Sequence, residues 1–475
     1  MKRNGMKQMH NKLPLYILIM LLLLASCKMG PAYKSPEVIA PEVFLYQTSP
    51  SDSLTDIKWW ELFNDPVLDS LLRMALDSNR EVKATFNSIE QARLKYKIQK
   101  ANLYPDLNLQ GQLNYGTYSG FLNDEAMGNY LAAGAVSWEI DFWGKLRRLN
   151  EAALADYLGT EFGYQNLRLS LVSQICLYYF QLRIYEESVA ISRRTLALRD
   201  SSLNLIRARY DKGIVAEIDV NHAEIQQAIA ASAVPLFERA AAQTQNALNV
   251  LIGNNPMEVA RSIHIDSLVV NQDVPLGLPS ELLLRRPDLA LAEQKIVAQN
   301  ARIGVAQANR FPSISLTALG GVSNELASFN TAGAAWSAGL NLFGPLFNWG
   351  KNKRQVEIEK LRTESAYLNY ENAVFNAFRE VEDALIAIQT FKEEYAARVN
   401  HVRAANNAQF LSSQRYDKGI TSYLEYLESQ RQAFEAELAL VAVQGELLSS
   451  YVLLYKALGG GWLTEEDYQA SQATN

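Results

Sequence analysis

Arg209-Tyr210-Asp211-Lys212-Gly213-Ile214 recurs as Arg415-Tyr416-Asp417-Lys418-Gly419-Ile420, 206 residues later. Two further pairs keep the same spacing. Trp143-Gly144-Lys145 returns as Trp349-Gly350-Lys351 at offset 206, and Ala101-Asn102-Leu103-Tyr104-Pro105 returns as Ala308-Asn309-Arg310-Phe311-Pro312 at offset 207. Three separated anchors at one spacing mean that a whole structural unit is duplicated, not one short motif. Each copy reads as helix, Pro, strand, loop, strand, Trp-Gly-Lys, long helix, Gly turn and return helix.

The long helices decide the fold class. From Gly144 to Tyr210 there is no proline, and apolar residues recur at three- and four-residue spacing: Leu171, Ile175, Tyr178, Leu182, Tyr185, Val189, Leu196, Leu203 and Ile206. Gly350 to Tyr416 behaves alike, through Val374, Phe378, Val381, Leu385 and Ile388. At 1.5 Å per residue each helix extends on the order of 100 Å, too long for a compact domain and suited to coiled-coil packing. Gly213 and Gly419 end them, since a left-handed C-cap is open to glycine at no steric cost. Return helices follow over 217–252 and 422–457, and Pro235 is expected to kink the first.

The segments between carry a period of two. Leu107, Leu109, Leu113 and Tyr115 alternate with Asn108, Gln110, Gln112 and Asn114. Tyr130, Ala132, Val136, Trp138 and Ile140 oppose Ser137, Glu139 and Asp141. The second copy repeats the pattern with Ile314, Leu316, Ala318 and Val322, then Trp336, Ala338, Leu340 and Leu342. Strands of about ten residues with one apolar face suit a tilted transmembrane strand or a half-buried sheet. Four strands cannot close a barrel, and an open edge in lipid leaves backbone groups unpaired, so several copies must combine. Eight strands from a dimer have an interior filled by side chains; twelve from a trimer leave a channel.

Composition limits the rest. The chain has 475 residues, 48% hydrophobic and 20% charged, with net charge −6. No basic patch is present, so nucleic acid is not a partner. Past the N-terminus no apolar run reaches the roughly 20 residues of a membrane helix. The N-terminus reads as a processing signal: Lys2, Arg3 and Lys7, then an apolar run from Leu15 to Ala25, then Leu24-Ala25-Ser26-Cys27. That ending resembles a bacterial lipoprotein box, in which Cys27 is acylated; an ordinary signal peptide with a chance cysteine is the other reading. The lipid would be the only prosthetic group, since acyl chains anchor a chain without a membrane helix. The second cysteine, Cys176, lies in an apolar helical stretch and reads as a core residue.

Enzyme readings fail on inventory. His10, His222, His264 and His401 are the only histidines, and none has a partner at metal or triad spacing. Gly344 to Lys351 is not a phosphate loop: five residues separate its glycines, and Asn352 stands where Ser or Thr is required. No catalytic, metal or cofactor residue is assigned.

The chain resembles the TolC-like outer-membrane factors, in the efflux-channel lipoprotein branch (OprM and NodT type). The resemblance rests on Leu278-Pro279-Ser280-Glu281-Leu282-Leu283-Leu284-Arg285-Arg286-Pro287-Asp288-Leu289, on Ala292-Glu293, on Phe311-Pro312-Ser313-Ile314 and on Tyr455-Lys456-Ala457-Leu458-Gly459-Gly460-Gly461-Trp462. Gly30-Pro31 with Tyr33, and Trp59-Trp60 before Phe63-Asn64-Asp65-Pro66, also fit; the stretch 47–55 is irregular. It covers the chain from Cys27 to about Trp462. It implies an α+β membrane protein: a homotrimer with a transmembrane β-barrel completed by four strands from each chain, above a long α-helical coiled-coil barrel in the periplasm. It also implies the passive exit duct of a tripartite efflux pump, completed by a periplasmic adaptor and an inner-membrane transporter of the resistance-nodulation-division type. A type I secretion exit channel shares this fold. A non-conducting structural envelope lipoprotein is the rival of a different class, but a spacer needs no paired amphipathic strands in both halves.

The domain division expected is 1–26 signal peptide, 27–79 lipidated segment with equatorial elements, 80–253 first repeat, 254–286 equatorial linker, 287–458 second repeat and 459–475 tail. The hairpin tips are the candidate sites. Arg209, Tyr210, Asp211, Lys212 and Gly213, with Arg415, Tyr416, Asp417, Lys418 and Gly419, are tip residues for gating or adaptor contact; the bland reading is a helix cap. Glu425 and Glu428 share one helix face at i and i+3. The resemblance implies a periplasmic gate of stacked carboxylate rings at these positions, with Asp219 equivalent on the first hairpin. Glu425 also fits a capping box, Ser422-Tyr423-Leu424-Glu425. Substrate is not legible in the sequence.

Overall fold

The computed structural model describes residues 28–38, 40–47, 63, 65–116, 127–261, 279–325 and 333–460. Cys27, Trp59, Trp60 and Trp462 lie outside the described residues. Among those described, the order is α1 (Pro66–Ser78), α2 (Arg80–Ala101), β1 (Asp106–Gly116), β2 (Met127–Ile140), α3 (Lys145–Tyr210), α4 (Glu217–Leu251), α5 (Pro279–Arg285), α6 (Pro287–Ala308), β3 (Ser313–Glu325), β4 (Gly333–Phe343), α7 (Lys351–Asp417) and α8 (Tyr423–Ala457). The two long helices contain 66 and 67 residues. Helix α4 runs on through Pro235 as one helix.

Two compact units form, and both cut across the duplication. One holds Met1–Val38, Asn87–Phe162 and Leu291–Asn372; the other holds Ile39–Phe86, Gly163–Ala290 and Ala373–Asn475. Each unit therefore takes the corresponding piece of both repeats.

In the first unit the strands make one antiparallel sheet, in the order β1-β2-β3-β4, leaving β1 and β4 as edges. Asp106 lies opposite Ser137 in the first hairpin, and Ser313 opposite Phe343 in the second, so the repeats share one register. The central β2–β3 pair joins them, with Ile140 opposite Ile314 and Asn129 opposite Glu325. Gly321 is required there, because a Cβ would stand 2.2 Å from the Ala132 carbonyl oxygen. Leu107, Leu109, Leu113, Tyr115, Trp336, Leu340 and Leu342 are all exposed, an apolar face much larger than a soluble monomer carries.

Below the sheet, Asp141 caps α3 through the backbone N–H groups of Leu146 and Arg147, both at 2.9 Å. Trp143 stacks on Phe311 with centroids 4.6 Å apart and donates its indole N–H to the Pro312 carbonyl at 2.8 Å. The extended segment 28–38 binds beside this turn. Buried Arg148 donates Nε to the Met29 carbonyl and Nη2 to the Pro31 carbonyl, each at 2.8 Å. Tyr33 donates to Glu293 at 2.6 Å, and Lys28 pairs with Glu151 at 2.7 Å.

In the second unit, Asp65 caps α1 by accepting from Val67 and Leu68 N–H groups, with Pro66 at the first helical position. Its other oxygen accepts from the buried Tyr179 hydroxyl at 2.8 Å. Asn79 ends α1 and starts α2: Oδ1 accepts from Glu81 and Val82, while Nδ2 donates to the Leu251 carbonyl at 2.8 Å. The Arg285-Arg286-Pro287-Asp288 segment is a packing lock. Arg286 grips Asp288 with Nε and Nη2 at 3.0 and 2.7 Å, while Nη1 reaches the Ala457 carbonyl at 3.1 Å and Glu380 at 2.8 Å. Cys176 is buried, which pushes its thiol pKa up. Helix α8 contains a window of mean hydropathy 1.5, and 56% of that window is buried inside the chain, as in a core helix.

Replacing Arg286 with alanine strands two carboxylates and a carbonyl. Its partners are only partly buried, so the expected cost is roughly 2–3 kcal/mol, below that of a fully buried pair. Thermal melting of the detergent-solubilised protein followed by circular dichroism is expected to show the drop. Arg286→Lys is expected to restore little, because a point charge cannot replace the fork.

Candidate functional site

Both hairpin tips are built by the same local chemistry. Helix α3 stops where Gly213 turns left-handed at φ +70, and α7 stops where Gly419 does so at φ +69. The Gly213 N–H bonds to the Tyr210 carbonyl at 2.7 Å, and Ile214 N–H to Arg209 at 2.9 Å. The second tip copies this, Gly419 to Tyr416 at 3.0 Å and Ile420 to Arg415 at 2.9 Å. Space around both glycines is open, so backbone conformation and not crowding selects glycine.

Above the turns the copies diverge. Tyr416 is 7% exposed whereas its counterpart Tyr210 is 43% exposed. Tyr416 packs with Tyr423, Tyr426 and Leu427 of its own hairpin against Leu203, Ile206 and Ala223 of the other. The Arg209 guanidinium lies 4.7 Å from the Tyr416 ring centroid, a cation–π contact joining the tips. Burial pushes the Tyr423 and Tyr416 hydroxyl pKa values up, and neighbouring Asp219 adds to both shifts. Asp211, Lys212, Asp417 and Lys418 stand exposed at the turns.

The acidic candidates sit in ion pairs. Glu425 accepts from Arg415 at 2.9 Å and from the Thr421 hydroxyl. Ser422 caps α8 by accepting from the Glu425 N–H at 3.4 Å. The tip arginine and the acidic residue are therefore two halves of one contact. Glu428 accepts from Arg431 at 2.6 Å and from Gln432 at 2.9 Å. Those hydrogen bonds hold its carboxyl down at about 2 against an ordinary 4.5. Arg431 also binds Glu435 at 2.7 Å.

Sequence reasoning missed the aromatic joint and Arg199. Tyr423 and Tyr426 carried a signal, three residues apart and one turn after a tip tyrosine. Arg199 carried none, because an arginine in a long helix reads as a surface residue. It is fully buried, with Nη1 donating to the Gln226 carbonyl at 2.6 Å and its face 5.1 Å from the Phe434 ring. Its Nε and Nη2 have no hydrogen-bond partner among the described residues, and burial lowers its pKa. Among the described residues no cluster of His, Cys, Asp or Glu is arranged to hold a metal ion.

Because the Glu428 pKa is depressed, its pair with Arg431 is complete above pH 4.5 and is lost only as pH falls through about 2. Acidification from pH 7 to 5 therefore leaves it intact. Difference infrared titration of the carboxyl band is expected to show this, with Arg431→Gln returning Glu428 to the ordinary carboxylate range. Arg199→Met is expected to leave the thermal midpoint unchanged or raised, since a buried charge with unmet donors is replaced by an apolar chain of similar length. Arg199→Ala is expected to lower it through the cavity.

Comparison with known proteins places these features in one family. The outer membrane efflux protein family model matches residues 71–254 and 278–460. The antibiotic efflux pump outer membrane protein ArpC of Pseudomonas putida is 32% identical over 95% of this chain and 96% of its own length. The cation efflux system protein CusC of Escherichia coli is 30% identical over 93% and 97%. The crystal structure of the open state of the Neisseria gonorrhoeae MtrE outer membrane channel superimposes with TM-score 0.83 at 31% identity, covering 92% of this chain and 98% of that one. With a family match across both repeats and likeness over nearly the whole length, the chain belongs to the outer membrane efflux proteins, channels of the outer membrane that extend into the periplasm.

Proposed function

We propose that this chain is the passive, gated exit duct of a tripartite efflux pump. The observation that carries the reading is the four-stranded sheet with two free edges and an exposed apolar face, in a chain with two paired hairpins of long helices. Three copies supply twelve strands, enough to leave a channel. The lipid on Cys27 adds an anchor. A periplasmic adaptor docks at the tips, where Asp211, Lys212, Asp417 and Lys418 stand exposed. An inner-membrane transporter of the resistance-nodulation-division type supplies energy and specificity. Substrates are drugs, toxic small molecules or metal ions, in line with the antibiotic and cation systems of the relatives. The duct performs no reaction and uses no cofactor beyond the lipid.

The gate lies at the tips, held by the Arg415–Glu425 pair, the Arg431 cluster and the tyrosine joint. Single-channel conductance in a planar bilayer tests the reading, with the lipidated protein beside Glu425→Ala/Glu428→Ala. The wild type is expected to give a small, flickering conductance and the variant a larger, steadier one. Equal conductances would move the gate elsewhere in the duct. No conductance from either, despite demonstrated insertion, would overturn the duct.

A further inference from the structure

Arg199 is enclosed between helices with its charge unanswered. It is 2% exposed, and burial lowers its pKa. Among the described residues only Nη1 is bonded, to the Gln226 carbonyl of α4 at 2.6 Å. Phe434 of α8 covers the guanidinium face at 5.1 Å. Nε and Nη2 are buried and have no partner. Their N–H bonds lie side by side on one edge of the guanidinium, the fork that a carboxylate fills with two parallel hydrogen bonds. A buried charge in that state is costly, and a carboxylate answers both the charge and the two donors.

A cavity of about 160 Å³ lies against this side chain. Its walls come from α3, α7 and α8, whereas Nη1 turns to α4, which gives the cavity no residue. The volume is several times what one water needs. The walls are of two kinds. Leu198, Ala433 and Phe434 are apolar; Thr195, Gln409 and Gln430 are polar without charge. Arg194 and Glu437 complete the lining and pair with each other at 2.8 Å. Glu437 is the acid among these residues, and both its oxygens are taken: Oε2 by Arg194, and Oε1 by the Asn406 amide at 3.1 Å. Glu435, whose charge acts on Arg199, is held by Arg431 at 2.7 and 2.8 Å. The cavity thus has a cationic end, an apolar wall and a carboxylate that is engaged elsewhere.

We propose that this cavity binds a small organic carboxylate, its two oxygens on the Arg199 fork and a short apolar chain against Leu198, Ala433 and Phe434. Seating it takes a shift of the guanidinium toward the cavity, since both donors are themselves buried. The Nη1 bond to α4 serves as the pivot. Chloride answers the charge but not the fork, and it has no part for the apolar wall. Inorganic phosphate fits the fork but also leaves that wall unmatched. The filled site touches α3, α7 and α8 directly and α4 through Arg199, so it joins both hairpins. A ligand held only by the folded chain stabilises it.

The test uses the full-length chain in detergent, at neutral pH and constant ionic strength, with sodium butyrate, acetate and chloride as probes. Isothermal titration calorimetry is expected to show saturable butyrate binding, with acetate about tenfold weaker for want of two methylenes. Chloride is expected not to saturate in the same range. The thermal midpoint is expected to rise with butyrate in step with occupancy. Arg199→Met fills the same space without the fork, and is expected to bind no butyrate and to show no butyrate-dependent rise. Arg199→Lys keeps a charge but loses the fork, and is expected to bind butyrate about tenfold more weakly with the second hydrogen bond gone. Circular dichroism checks that each variant is folded; if Arg199→Met is not, Arg199→Lys decides by the same comparison. Equal butyrate binding by the wild type and the folded variants would overturn the site. So would a wild type that binds no butyrate, or one that binds chloride as tightly.

Discussion

The backbone of a four-stranded sheet sets the terms for the rest of this molecule. Each edge of β1 and β4 presents N–H and C=O groups that hydrocarbon cannot satisfy, at several kcal/mol each. A soluble protein can blunt an edge with charge, proline or a covering helix. Here the edge strands instead carry exposed leucine, tyrosine and tryptophan on one face and amides on the other. That arrangement is stable only where the edges are paired by more strands and the apolar face meets lipid. Membrane placement and assembly are thus one requirement, seen from two sides of the same sheet.

The duplication explains how such a sheet is positioned. The repeats share hairpin register, tip turns and Trp-Gly-Lys junctions, yet neither folds as a domain, because each compact unit combines material from both. Divergence is concentrated where the copies serve different neighbours. Tyr416 is buried in the joint between hairpins while Tyr210 is exposed, and Trp143 is packed while Trp349 is not. A residue that meets its own chain in one copy faces outward in the other.

Local signals made the fold legible. Pro66 at a helix start, Gly213 and Gly419 at helix ends, and the alternation from Leu107 to Tyr115 each act within a few residues, so sequence alone locates them. Pro235 is expected to kink the return helix and not to end it, and α4 continues through it as one helix, because losing one ladder bond does not stop a helix. The candidate site was legible in part. Arg415 and Glu425 were both visible, but not that they bind each other across the turn. The docking of segment 28–38 was invisible for another reason. Its bonds run from Arg148 to carbonyls 119 and 117 positions away, and backbone carbonyls carry no sequence signature.

The charges at the tips bear on what the duct can discriminate. A bare ring of glutamates would favour cations strongly. In the structure, Arg415 offsets Glu425, and Arg431 lies between Glu428 and Glu435. Per chain these five side chains leave one negative charge, spread over an exposed surface that salt screens within about 10 Å. Of these pairs only Arg415–Glu425 joins two helices; the Arg431 pairs lie within α8 and stiffen it. The depressed carboxyl pKa of Glu428 keeps its own pair with Arg431 formed under mild acidification. The near-cancellation of charge among these side chains therefore argues against a strongly cation-selective ring built from Glu425 and Glu428 alone.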